Sequence, residues 1–324
     1  MVSEDGSATE SASPGFNSNC GEVAEHPCVY LITTFLPSLD KGESRADLTV
    51  FPAVKDLQEA EVVVHLASKT DLAESVRSPH ITYYTNILST LNLLEMARQK
   101  GIWKFIFVST YLYGHPQYLP IDENHPLSPH SPYNKSKFLA EQICKEYSSD
   151  YGIHVTILRP FYLYGPNPRP SSFIHSAISG AILDQSVMLS GKNIKRDFLY
   201  VDDFVNLIIL ILGNFPTGLN IYNVGYGKSF TLEEVLSKIG SILGGKKISL
   251  LYDKTLRPND IEDMVADIRK ISRQFSWEPC CDLDTGLQFT IDNFLSESKS
   301  AEDLWNATQV SEYRTRVDNL TDHE

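Results

Sequence analysis

The chain of 324 residues has no apolar run near the ~20 residues that a membrane-spanning helix requires. Its longest run, Val205–Leu212, lies beside Asp202 and Asp203 and contains Asn206, which predicts a buried helix instead. The N-terminus lacks the basic-then-apolar pattern of a secretion signal and opens MVSEDGSATESASPGF. Cysteine is scarce. The five residues Cys20, Cys28, Cys144, Cys280 and Cys281 are odd in number and form no CxxC pair, so neither a disulfide framework nor a zinc site is expected. His115, His125 and His130 lack ligand spacing, and no metal is assigned. Basic charge is in deficit, with 28 Lys and Arg against 41 Asp and Glu and a formal net charge of −13. That balance argues against a nucleic-acid partner, although local cations could still grip a small anion. No internal repeat is visible, which excludes solenoids and propellers. A reduced, cytoplasmic compartment is the expectation, and the Asn306 and Asn319 sequons are read as chance matches.

What the chain does have is enough apolar residues, 42%, for a sizeable core. Residues 1–27 are acidic, Ser-rich and free of Lys and Arg, and are expected to be a disordered leader. Residues 296–324 form a similarly polar tail. Between them, Glu61–Ala67, Ile102–Ser109 and Ile153–Leu158 are near-continuous, β-branched apolar runs, as parallel strands buried on both faces should be. One intervening helix carries Ile87, Leu91 and Leu94 at helical spacing and ends at Gly101; the next follows Pro132 and aligns Ala140, Ile143, Cys144 and Tyr147. The pattern predicts an α/β fold with a doubly wound, Rossmann-like parallel sheet over residues 28–165. A smaller α/β lobe over 166–295, partly interleaved with the first, has helices expected at Thr231–Leu243 and Asp263–Phe275. A ligand would lie at the carboxyl ends of the strands.

Ser109 closes one strand, and Tyr133 and Lys137 stand one helical turn apart on the helix that follows. An ammonium beside a phenol draws its pKa towards neutrality, and Ser109 could hold an alcohol for that phenol to deprotonate. The Tyr-x-x-x-Lys spacing alone equally describes a solvated helix face. His65 is read as a core histidine, and Tyr111 and Tyr113 as packing at the edge of the site.

The ordered segments HLAS (His65–Ser68), TN (Thr85–Asn86), FVSTYLYG (Phe107–Gly114), PIDENHPLSPHSPYNKSK (Pro120–Lys137) and LRPFYLYGP (Leu158–Pro166) resemble the extended short-chain dehydrogenase/reductase family. Its nucleotide-sugar epimerases and dehydratases are the nearest members. The likeness continues through RDFLYVDDFV (Arg196–Val205), YNVGYGKSFTLEEV (Tyr222–Val235) and the segment Arg257–Pro279. It implies Tyr133 as acid/base, Lys137 as its tuner and ribose ligand, and Ser109 as hydroxyl partner. It also implies an NAD cleft lined by Leu66, Ala67, Asn86, Pro160 and Phe161, and a nucleotide-diphosphate sugar held by Arg196, Arg257 and Asp260. A homodimer is a further expectation of the family.

Three departures stand out. No Gly-x-x-Gly-x-x-Gly turn precedes Glu61, and CVYLITTFLPSLDKG (Cys28–Gly42) looks like the family's second strand and loop unless CVYLIT fills the first strand's slot. Tyr162 stands where epimerases carry Asn beside the sugar. After Ser109 the chain reads Thr-Tyr-Leu-Tyr-Gly, without the carboxylates of the dehydratases, which favours epimerisation or simple redox over elimination of water. The resemblance therefore implies an NAD-dependent nucleotide-sugar epimerase. The missing glycine turn points instead to a cofactor-impaired relative acting as an interaction subunit, and Tyr162 to a dehydrogenase or reductase of another alcohol.

Overall fold

The structure is a computed structural model that describes residues 29–32, 47–51, 60–253 and 260–297. The expected leader, all of the tail beyond 297, and Arg257 lie outside the described residues. In chain order the elements are β1 (Val29–Ile32), β2 (Val62–His65), α1 (Leu72–Arg77), α2 (Pro79–Lys100), β3 (Lys104–Val108), α3 (Pro132–Tyr151), β4 (His154–Pro160) and β5 (Tyr162–Tyr164). There follow α4 (Phe173–Ile182), β6 (Val187–Leu189), β7 (Lys195–Tyr200), α5 (Val201–Gly213), β8 (Leu219–Val224), β9 (Ser229–Thr231), α6 (Leu232–Ile242), β10 (Leu250–Tyr252), α7 (Arg269–Phe275) and α8 (Leu283–Glu297).

The main sheet runs β1-β2-β3-β4-β8 with every neighbouring pair parallel. Its strands are apolar on both faces because both are covered. On one side Val63, Phe105, Phe107, Val155 and Ile157 pack with Leu93, Leu94, Ala97, Ala140 and Cys144 of α2 and α3. On the other, Val62, Val64, Ile106 and Leu158 meet Phe204, Leu207 and Ile211 of α5 and Ile271 and Phe275 of α7. β8, α5 and α7 thus return from the second half of the chain to complete the first layer. A separate core joins α4, α6 and α8 around Phe198 and Tyr200. No helix among the described residues is long and apolar enough to cross a membrane.

Local chemistry sets the helix ends that matter for the site. Ser131 accepts the Asn134 amide at the start of α3, where Pro132 occupies the first turn, and Gly152 ends it in the left-handed region (φ 73°). Gly101 ends α2 in the same way (φ 70°).

Three expectations are corrected. Val29–Ile32 pairs directly with Val62–His65, so it fills the slot beside β2 and does not lie one strand further out as a second strand would. The helix expected at Asp263–Phe275 begins only at Arg269, because Val265–Asp267 is drawn alongside Ile121. Ile121 donates its amide to the Val265 carbonyl (2.9 Å) and accepts that of Asp267 (2.8 Å). The helix containing Val205–Leu212 is buried on one face only, since Val205, Ile209 and Leu210 are exposed on the other.

Candidate active site

Tyr133 sits in the first turn of α3, opposite the C-terminal end of β3, and is half-buried. Lys137, one turn on, is buried, with its ammonium over the Phe107 ring at 4.2 Å from the centroid. Burial lowers its pKa to about 7, against the opposing pull of Cys144 and Glu141. Burial likewise holds the Tyr133 phenol above its ordinary value, although a hydrogen bond with Thr110 and the charge of Arg169 work to lower it. Lys137 is turned towards Phe107, and burial works against its charged form.

Ser109 extends the pairing of β3, its amide donating to the Leu158 carbonyl at 2.7 Å. Its Oγ is buried and has no hydrogen-bond partner among the described residues. The side chain that acts to lower the Tyr133 pKa is that of Thr110, a half-buried residue not singled out from the sequence. Arg169 was also passed over. It reaches from the loop after β5 to the Thr70 hydroxyl in the loop after β2.

Leu66 and Ala67 follow directly on β2. Asn86 of α2 fixes that loop, accepting the Lys69 amide (2.7 Å) and donating to the Lys69 carbonyl (3.0 Å) and to Ser136 Oγ of α3 (2.9 Å). It braces the cleft wall while its amide is engaged by protein groups. His65 is a core histidine, as expected; its Nε2 pairs with Thr90 Oγ1 at 3.0 Å. Pro160 ends β4, and Phe161 turns its ring edge-on to Tyr111, centroids 5.2 Å apart. Tyr162 points the other way, onto Phe198.

The structure brings together two residues assigned to the nucleotide. Arg196 Nη2 donates to Asp260 Oδ1 at 2.5 Å, its Nη1 donates to the carbonyls of Lys195 and Ile261, and Asp260 also accepts from Ser190 Oγ at 2.6 Å. Arg196 is 7% exposed, and Asp260 is partly buried beside it. The Arg196 charge also acts on the Tyr111 phenol, two residues from Ser109.

Whether these residues suit NAD differs along the cleft. A buried ammonium compensated by an aromatic face, at the carboxyl edge of a parallel sheet, is a donor suited to a ribose hydroxyl, so Lys137 and Tyr133 fit the nicotinamide ribose. The pyrophosphate side does not fit the usual cradle: residues 33–46, which follow β1, contain a single glycine, Gly42.

Residues 19–225 match the model of the NAD dependent epimerase/dehydratase family. A Methanocaldococcus jannaschii protein provisionally named a UDP-glucose 4-epimerase is 35% identical over 239 residues, which are 72% of this chain and 76% of that protein. The UDP-glucuronate 4-epimerase of Thermodesulfobacterium geofontis is 30% identical over 268 residues, 79% of this chain and 81% of its own. Among solved structures, the UDP-glucose 4-epimerase of Thermus thermophilus in complex with NAD is similar with a TM-score of 0.71 and 30% identity. That likeness covers 78% of this chain and 84% of that one.

Proposed function

Since the chain belongs to the NAD-dependent epimerase/dehydratase family, we propose that this enzyme is a UDP-sugar 4-epimerase interconverting UDP-glucose and UDP-galactose. The observation that carries the choice within the family is the Tyr133–Lys137 pair facing a β3 exit with no carboxylate. In the segment Ser109–Gly114 the polar side chains are Ser109, Thr110, Tyr111 and Tyr113. Tyr111 cannot replace a missing acid, because its hydroxyl donates to the Gly114 carbonyl and burial pushes its pKa up. Elimination of water needs an acid at the leaving hydroxyl, whereas epimerisation needs only one group that takes and returns a proton.

In this reading the Tyr133 oxygen, as phenolate, takes the proton of the sugar hydroxyl and later gives it back. Lys137 would bind the nicotinamide ribose of NAD. Leu66, Ala67, Pro160 and Phe161 wall the cleft, and Asn86 keeps its rim in place. Arg196 and Asp260, with Arg257, hold the UDP; a guanidinium held in place by a carboxylate is well suited to a diphosphate in an acidic protein. The NAD held there would supply a reversible hydride acceptor for the sugar carbon. The same Arg196–Asp260 pair favours a nucleotide substrate over a sterol or phenolic alcohol.

The test is incubation of the purified chain with UDP-galactose, with NAD(H) quantified after acid release. Formation of UDP-glucose without net NADH supports the reading. No product from protein carrying stoichiometric NAD would sink it.

A further inference from the structure

We propose that this chain holds its nicotinamide cofactor by the nicotinamide ribose alone and has no site for the adenosine diphosphate half. This rests on the family's use of NAD, not on the choice of sugar.

The sheet fixes where a pyrophosphate would have to be met. Val29–Ile32 pairs residue for residue with Val62–His65, Val29 opposite Val62 and Ile32 opposite His65. The slot beside β2 is therefore filled, and the chain leaves its carboxyl end at residue 33. A dinucleotide needs backbone amides in close approach at that point, and glycine supplies them because a Cβ would stand in the way. Residues 33–46 read TTFLPSLDKGESRA. Thr33, Thr34, Phe35 and Leu36 come directly off the strand, Pro37 has no amide hydrogen to donate, and Gly42 is the single glycine.

The loop after β2 does not make good the loss. Its one cation, Lys69, donates to Glu74 Oε1 at 2.8 Å, and Asp71 adds negative charge. Arg169, which reaches this loop from beyond β5, donates to the Thr70 hydroxyl. The Asn86 side-chain amide is engaged by Lys69 and Ser136.

The nicotinamide side, by contrast, is built. Lys137 is 2% exposed and faces the Phe107 ring, while Glu141, one turn on, is gripped by Arg159. A buried ammonium left without a carboxylate is suited to the hydroxyls of a ribose. Nicotinamide mononucleotide carries that ribose and lacks the adenosine, so it should bind about as well as NAD, and both should exchange freely with solution.

The test uses the full chain freed of bound nucleotide and reads contact, not turnover. In saturation-transfer NMR with NAD, the nicotinamide ring protons should carry the signal and adenine H2 and H8 very little. Dissociation constants of NAD and nicotinamide mononucleotide should agree within about threefold, since each charge-assisted hydrogen bond to a pyrophosphate would separate them by roughly 10- to 100-fold. ADP should not displace the mononucleotide, and Lys137→Met should weaken both ligands together by roughly tenfold. Adenine protons saturated as strongly as the nicotinamide ring, or NAD bound a hundredfold more tightly than the mononucleotide, overturn the proposal. So does a folded chain that binds neither. If both bind alike but UDP-galactose is not converted with NAD in excess, the half-site stands and the epimerase reading falls.

Discussion

Arg159 of β4 grips both carboxylate oxygens of Glu141 of α3, Nε to Oε1 at 2.9 Å and Nη2 to Oε2 at 2.6 Å, with both side chains almost wholly out of water. The third arm of the guanidinium donates to the Tyr113 hydroxyl, which donates in turn to Asn223 of β8. Glu141 lies one turn beyond Lys137, so the pair ties α3 to β4 and, through Tyr113, to β8 at the edge of the sheet. Removing one member strands a buried charge, which costs about 3–5 kcal/mol. Glu141→Ala should lose that much stability in urea unfolding, and the double variant Glu141→Ala/Arg159→Met should regain a good part of it. A single variant as stable as the wild type would show that the network contributes nothing.

Burial of the Lys137 ammonium costs stability. Its pKa in the folded chain is about 7 against an ordinary 10.5, so between those values the unfolded chain binds the extra proton. Stability of the ligand-free protein should therefore rise with pH through that window, and below about pH 7 the full penalty is present. Lys137→Met should abolish turnover and flatten this rise. At pH 7 it should also stabilise the ligand-free chain by on the order of 2 kcal/mol, the scale for burying a poorly compensated polar group. Thermal melts of both proteins from pH 6 to 10 check the sign.

Arg196→Lys should keep a positive charge but lose the fork that spans Asp260 and two carbonyls. Calorimetry should show UDP bound about tenfold more weakly, the loss of roughly one charge-assisted hydrogen bond. Unchanged affinity would remove Arg196 from the nucleotide site.

Glycine in the middle of a helix usually gains about 1 kcal/mol on change to alanine. Gly286 of α8 should do the reverse, because an added Cβ would collide with the Tyr164 hydroxyl and lie 2.9 Å from its Cζ. Overpacking of this kind costs about 1–3 kcal/mol. The Tyr164 hydroxyl is buried without a partner among the described residues, so Tyr164→Phe should stabilise the protein and relieve much of the Gly286→Ala defect. Chemical denaturation of the two single variants and the double variant would show the coupling.

By itself the sequence determined the parallel sheet and its helical cover. EVVVHLA, IWKFIFVS and IHVTIL are too apolar to expose either face, and Pro132 and Gly101 mark where helices start and stop. It also determined the motif residues Tyr133 and Lys137, because one helical turn is a local relation. Tertiary structure decided the rest. The strand exit after β3 is fastened to the start of α3 by the Asn134–Tyr111 hydrogen bond, which joins residues 23 positions apart. That Lys137 turns to Phe107, that Arg196 and Asp260 form an ion pair, and that Val29–Ile32 lies against β2 are likewise contacts between distant segments. Local spacing records which face a residue occupies. The partner it finds there, and the charge it keeps when buried, are set by the chain that folds over it.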